Sequence, residues 1–271
     1  MKVDAFGLTH TGKVRTTNAD SFLIMRLSRT MQVEGTNLPG LEKVQAGPGG
    51  YLFLVADGVG TGRGGEMASE KAAHSLADYV SRCANVYFAQ QDHDDAKCVS
   101  DLLQGVREVH DEVRKEAERE GRPGAATTLT LVVLFWPKAY LVHVGDSRAY
   151  RLRDHKLQLL SHDQTVAQAL VDAGALTASK GEISPLKHIL TSAIGADEAT
   201  PEVQVDTARV DDILLLCTDG LTKHVTEAEL EAILQERQAA EPTVRRLVDL
   251  ALERGGSDNI TVVIVKAGQR E

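Results

Sequence analysis

Hydrophobic positions follow two rhythms along the chain. Short apolar or alternating runs, most of them rich in β-branched residues, predict strands over Val3–Leu8, Ser21–Arg26, Tyr51–Ala56, Thr128–Phe135, Ala139–Val144, Arg148–Arg153, Leu157–Leu160, Ile213–Cys217 and Ile260–Val265. A period near 3.6 predicts helices over Met67–Cys83, where Ala68, Ala72, Leu76 and Val80 share a face, and over Val99–Ala117, where Val99, Leu102, Val106, Val109 and Val113 do. Both faces read as core packing. Local signals mark three more helices: Thr165–Ala173 ended by Gly174, one opened by the capping box of Thr226 and Glu229, and one opened by Pro242 and stopped by Gly255-Gly256.

Between residues 128 and 160 four strands follow one another with short turns and no helix. Parallel neighbours would need long crossovers, so this run demands antiparallel pairing. Two glycine- and proline-bearing stretches, 27–50 and 177–200, read as surface excursions. No internal repeat, low-complexity linker or Pro/Ser-rich tail marks a second unit, so a single domain over 1–271 is expected.

Composition narrows the function classes. With 271 residues, 42% hydrophobic and 25% charged, the chain has enough apolar surface for a substantial core. A formal charge of -9 argues against binding a nucleic-acid backbone, which draws on clustered lysine and arginine. Cys83, Cys98 and Cys217 are odd in number and scattered, with no C-x-x-C pair, so neither a disulfide framework nor a zinc knuckle is indicated and a reducing cytosol is favoured. No segment approaches the roughly 18 consecutive apolar residues of a membrane span. The expectation is a cytoplasmic protein with neither nucleic-acid nor membrane partners.

The aspartates carry the candidate chemistry. FLVAD ends at Asp57, LVHVGD at Asp146 and LLLCTD at Asp219, while Asp258 immediately precedes the strand in SDNITVVIV. Asp-Gly and Gly-Asp are favoured hairpin dipeptides, which accounts for any one of these sites. That account holds at Asp146, where RAYRLR follows at once, and fares worse at Asp57-Gly58 and Asp219-Gly220, where a loop and then a helix follow. Several carboxylates at one end of a sheet repel unless a cation neutralises them. Oxygen-only donors favour a hard ion, Mg²⁺ or Mn²⁺. A pair of such ions can orient and acidify water and hold a phosphate in line, so the set suits phosphate-ester hydrolysis. Arg15, in GKVRTTNADSF, is a candidate to grip phosphate oxygens.

Gly60, Gly62 and Gly65 also fit the G-x-G-x-x-G spacing of a nucleotide loop. That reading lacks the Gly-Lys-Ser/Thr ending of a P-loop, and Asp78, near the spacing of a ribose-binding acid, falls inside a predicted helix. The antiparallel run at 128–160 opposes it as well.

Eight segments, in order, resemble the metal-dependent serine/threonine protein phosphatases of type 2C, the PPM family, in its compact bacterial form. They are VRTTNADSF, VADGVGTGRGGEMAS, GAATTLTLVVL, VHVGDSRAYRL, LSHDQTVAQALVDAGALT, LTSAIG, LCTDGLTKHVT and GGSDNITVVIV. The resemblance implies an α+β fold, a four-layer α-β-β-α sandwich of two antiparallel sheets flanked by helices, with the metal site at one edge. It implies two Mn²⁺ or Mg²⁺ ions and a weaker third one. Asp57 would bridge the two ions, the Gly58 carbonyl would bind one, and Asp219 and Asp258 the other. Asp20 would contact the centre through water, Asp146 would help Asp219 hold the third ion, and Arg15 would bind the phosphate. A flap over about 163–190 would border the cleft.

Phosphorylated proteins would be the substrates, with a cognate serine/threonine kinase as the opposing partner and a monomer as the working form. Family members commonly carry glutamate or glutamine where this chain has Ala19, which removes one ligand or water contact. Val59 stands where eukaryotic relatives have a histidine, and Gly62 and Arg63 replace a common His-Ala, so the leaving-group acid is unassigned. His143 and His162 read as packing or surface residues, and none of the nine histidines shows H-E-x-x-H spacing. A non-catalytic phosphoprotein-binding regulator that keeps the fold is the alternative, motivated by Ala19.

Overall fold

The strand-forming segments sort into two antiparallel sheets in the computed structural model, which describes residues 2–27, 49–60, 63–89 and 94–268. One sheet has the order β1 (Lys2–His10), β11 (Ile260–Gly268), β10 (Ile213–Cys217), β7 (Arg148–Arg153) and β8 (Lys156–Leu159). The other runs β2 (Asp20–Leu27), β3 (Gly50–Val59), β5 (Leu129–Phe135), β6 (Lys138–Val144) and β9 (Glu202–Thr207), and the two-residue β4 (Ala126–Thr127) pairs with the end of β3.

The near-continuous apolar runs follow from burial on both faces of each sheet. In β3, Phe53 and Val55 point between the sheets, where they meet Val132, Leu216 and Val263. Leu52 and Leu54 point the other way, onto α1 (Gly64–Ala89) and α2 (Asp95–Arg119), beside Ala68, Leu76, Val106 and Val113. The first sheet does the same: Leu215, Val262 and Ile264 pack beneath α6 (Glu227–Gln235) and α7 (Ala240–Glu253), against Leu230, Val244 and Leu247. Three apolar cores therefore separate four layers, the expected α-β-β-α order. Each fully buried side chain of this kind contributes about 1.5–3 kcal/mol.

Several sequence expectations need correction. The turn at Gly145, Asp146 and Ser147 is not a hairpin, because β6 and β7 lie in different sheets and the turn carries the chain from one to the other. Gly145 has φ +106, and a Cβ there would come 2.6 Å from the Thr128 side chain. The sequence pattern does not mark strand β9; four of the six residues of EVQVDT are polar and it sits at a sheet edge, so its apolar signal is weak.

The 177–200 stretch is only partly a surface excursion. It forms α4 (Ala178–Glu182) and a 3-10 turn at Pro185–His188, then buries Ser192, Ala193 and Ile194. Ile194 exchanges both backbone hydrogen bonds with Thr127, at 2.9 and 2.8 Å. Helix α7 begins at Ala240, so Pro242 lies within its first turn, where a missing N–H costs nothing. Helix α3 (Val166–Asp172) is capped by Thr165, and the capping box of Thr226 and Glu229 opens α6 as expected. Most of the 27–50 excursion lies outside the described residues. Among the described residues no helix is long and apolar enough to cross a membrane.

Candidate active site

Strand register assembles the site. The β2–β3 ladder sets Asp20 directly opposite Asp57. Asp57 is not the last residue of its strand: pairing of Gly58 with Thr127 and of Val59 with Ala126 carries β3 past it. Its backbone is fixed on both sides, with N–H donating to Thr128 Oγ1 (2.9 Å) and the carbonyl accepting from Thr128 N–H and Thr127 Oγ1 (2.9 Å each). Of the glycines that fit a nucleotide loop, Gly65 serves a close approach of two backbones instead. A Cβ on Gly58 would lie 2.1 Å from the Gly65 carbonyl oxygen, and one on Gly65 would lie 2.5 Å from that of Gly58.

Asp219 opens the short helix α5 (Asp219–Thr222) one residue beyond β10, and Asp258 is separated only by Asn259 from β11, the neighbour of β10. The Asp146 turn enters from between the sheets. Arg15, Asp57, Gly58, Asp146, Asp219 and Asp258 thus line one cleft of about 1300 Å³. Asp20 sits behind it, 7% exposed, and its Oδ2 accepts from Thr218 Oγ1 (2.8 Å) and Thr261 Oγ1 (2.7 Å).

The structure adds partners that the sequence reading did not single out. Lys223 Nζ lies 2.6 Å from Asp219 Oδ2 and 2.8 Å from Asp258 Oδ2. Arg15 forks onto the same Asp258, Nε to Oδ1 at 2.7 Å and Nη2 to Oδ2 at 2.9 Å. The buried Asn259 side chain donates to the carbonyls of Thr11 and Thr17 and accepts from the Ala19 N–H, each at 2.9 Å, which pins the segment carrying Arg15. His143 is buried, as the packing reading expects. Its Nδ1 meets Thr130 Oγ1 and its Nε2 meets the Gly145 carbonyl, both at 2.9 Å, so it props the Asp146 turn. His162 pairs with Asp172 away from the cleft. His188 does line the cleft, 3.8 Å from Asp219 Oδ2.

Electrostatics divide the carboxylates into two groups. Burial, followed by the charges of Asp20, Asp219, Asp146 and Asp258, holds the Asp57 carboxyl well above its usual range. Burial pushes Asp20 up to about 7 against the pull of the Thr261 and Thr218 hydroxyls. Burial and Asp219 push Asp146 to about 7. Asp258 goes the other way: burial opposes its charge, but hydrogen bonds from Arg15 and Lys223 bring it down to about 2.

The donor set suits a hard divalent ion. It consists of oxygens alone, and buried Oδ1 atoms of Asp20 and Asp219 have no hydrogen-bond partner. As the side chains stand, no three His, Cys, Asp or Glu among the described residues converge on one ion position. Arg15 and Lys223 hold Asp219 and Asp258 instead.

The chain matches the family model for protein phosphatase 2C over residues 41–261. It is 34% identical over 217 residues to the serine/threonine protein phosphatase PstP of Mycobacterium tuberculosis, covering 80% of this chain and 40% of that protein. It belongs to the protein phosphatase 2C family. This phosphatase 2C chain is also 33% identical over 220 residues to the serine/threonine phosphatase stp of Listeria monocytogenes, covering 79% of this chain and 84% of that one. A solved catalytic domain of the serine/threonine protein phosphatase PstP, in complex with two manganese ions, superimposes with a TM-score of 0.75 at 29% identity, over 98% of this chain and 99% of that one. The family match begins after Arg15 and Asp20, which enter the site through the Asn259 bonds and the β2–β3 register.

Proposed function

We propose that this member of the phosphatase 2C family hydrolyses phosphoserine and phosphothreonine in proteins, by direct attack of water and without a covalent enzyme intermediate. The observation that carries the reading is the meeting of Asp57, Asp146, Asp219 and Asp258 with Arg15 around one cleft, with Asp20 behind Asp57. Two Mn²⁺ or Mg²⁺ ions, when bound, supply the Lewis-acid field that orients and acidifies the attacking water.

In this reading Asp57, the Gly58 carbonyl, Asp219 and Asp258 would hold the two ions. Asp20 acts through water from behind. Asp146 would help Asp219 hold a weaker third ion. Arg15 leaves Asp258 to bind the phosphoryl oxygens, for which its planar fork is suited. The phosphorus–oxygen bond to the seryl or threonyl oxygen breaks as the water oxygen bonds to phosphorus, and the leaving oxygen takes up a proton.

Residues 1–271 would act as a single catalytic domain, with the segment from about 163 to 190 as a flap bordering the cleft. The remainder of the reading is a cytoplasmic, monomeric signalling enzyme whose substrates are set by an opposing serine/threonine kinase. The non-catalytic alternative has Ala19 as its sole support, while the acidic set around the cleft is intact. Asp219→Asn should abolish Mn²⁺-dependent phosphate release from a phosphothreonine peptide, and full retained activity would overturn the assignment.

A further inference from the structure

Cations are spread unevenly over the five carboxylates of the site. Asp258 has two, Arg15 and Lys223, and Asp219 has Lys223. Among the described residues no lysine or arginine forms an ion pair with Asp20, Asp57 or Asp146. The half of the centre built on Asp219 and Asp258 already contains an ion-paired ammonium, whereas Asp57 has no ion-paired cation among the described residues.

The position of Lys223 is built into the fold. It lies one helical turn after Asp219, and its N–H donates to the Asp219 carbonyl at 2.9 Å. That turn is jammed against the residue following Asp258, because a Cβ on Gly220 would come 1.8 Å from the Asn259 carbonyl oxygen. The backbone therefore delivers the ammonium between Asp219 and Asp258. The Lys223 side chain is 22% exposed, and those of Asp219 and Asp258 are 18% and 17% exposed, so water screens the contact little.

We propose that the Lys223 ammonium is a tethered counter-ion of the Asp219–Asp258 pair that a divalent ion must displace, so that the two ion positions load unequally. The Asp57–Gly58 position fills first, and the Asp219–Asp258 position fills second, in competition with the lysine. An ammonium and a divalent ion cannot share the same two oxygens without like-charge repulsion. The buried Asp219 Oδ1, which has no partner, is the free oxygen on that side. In the metal-free chain the lysine keeps the two acids from forcing the cleft open. The inference rests on the phosphatase reading for the identity of the ion-binding residues.

The test is calorimetric titration of Mn²⁺ into metal-stripped wild type, Lys223→Met and Lys223→Arg, with thermal unfolding of each in the absence and presence of saturating Mn²⁺. Wild type should show two unequal affinities. In Lys223→Met the weaker should tighten about tenfold or more, the equivalent of about 1.4 kcal/mol. Lys223→Arg should keep the wild-type pattern. Lys223→Met should also melt lower than wild type when stripped and alike when saturated; a variant that folds only with Mn²⁺ is the extreme of the same result. Two equal affinities in wild type, unchanged or weaker binding in Lys223→Met, tighter binding in Lys223→Arg, or a Lys223→Met chain that stays unfolded at saturating Mn²⁺ would each overturn the inference. A wild type that binds no Mn²⁺ at all would instead remove the phosphatase reading beneath it.

Discussion

Asp20 and Asp57 stand directly opposite one another across the β2–β3 ladder, two carboxylates in neighbouring strands with no lysine or arginine paired to either among the described residues. Opposed like charges in a sheet are destabilising, and burial makes them more so. Both carboxyls are held above the ordinary value of 3.8, Asp20 to about 7. The folded chain therefore binds more protons here than the unfolded chain does. Their contribution is most favourable below pH 3.8 and is lost as pH rises through about 7. Asp146 works in the same sense. Asp258, lowered to about 2, works in the opposite sense, and its contribution is lost as pH falls from 3.8 toward 2. Metal-stripped protein should thus melt at progressively lower temperature between pH 5 and 8. Mn²⁺ should flatten that slope, and Asp20→Asn should reduce it without metal. A melting temperature that rises over this range in stripped protein would contradict the charge distribution described here.

Gly220 has no room for a side chain. A Cβ would be 1.8 Å from the Asn259 carbonyl oxygen, a backbone atom that cannot rotate aside. Gly220→Ala should separate α5 from the start of β11 and move Asp219 relative to Asp258. A loss of about 2–4 kcal/mol in urea unfolding is expected, together with weaker Mn²⁺ binding.

Asn259→Ala would remove three hydrogen bonds at once, those to Thr11, Thr17 and Ala19. Each is worth about 0.5–1.5 kcal/mol net, so a stability loss of about 1.5–4.5 kcal/mol is expected. Because these bonds pin the segment that carries Arg15, KM for a phosphopeptide should rise more than kcat falls. Steady-state kinetics on the folded fraction would check the split.

Arg15→Lys keeps the charge but loses the fork. If the guanidinium transfers from Asp258 to the phosphoryl group, kcat/KM should drop about 10- to 100-fold while Mn²⁺ affinity changes little. Equal activity in the two enzymes would remove Arg15 from phosphate binding.

Leu131→Ala should cost about 2–5 kcal/mol through a cavity between the second sheet and its helices. Leu131 is fully buried there and does not line the cleft, so the metal-saturated variant should retain near wild-type kcat. Denaturant unfolding alongside kinetics would separate fold from site.

Local sequence was enough for much of this architecture because burial on both faces writes itself into a strand. Phe53 and Val55 against Leu52 and Leu54 can be read as a buried strand without knowing what covers either face. Asp57, Asp219 and Asp258 stood out because each interrupts or adjoins such a run. The resemblance then ordered them into one site.

What only the tertiary structure decided lies in contacts between distant segments. Nothing local to residues 138–153 reveals that β6 and β7 part into different sheets, since two antiparallel strands joined by Gly145 and Asp146 look alike whether they pair or diverge. The segment bearing Arg15 is held by Asn259, a bond between Thr17 and a residue 242 positions away. Lys223 reads in sequence as an ordinary polar residue after a short helix. Its role follows from β10 and β11 lying side by side, which brings Asp219 and Asp258 within reach of one ammonium. Hydrophobic period reports the surroundings of a residue's own element, whereas charge pairing depends on sheet order and register, which are settled when the whole chain packs.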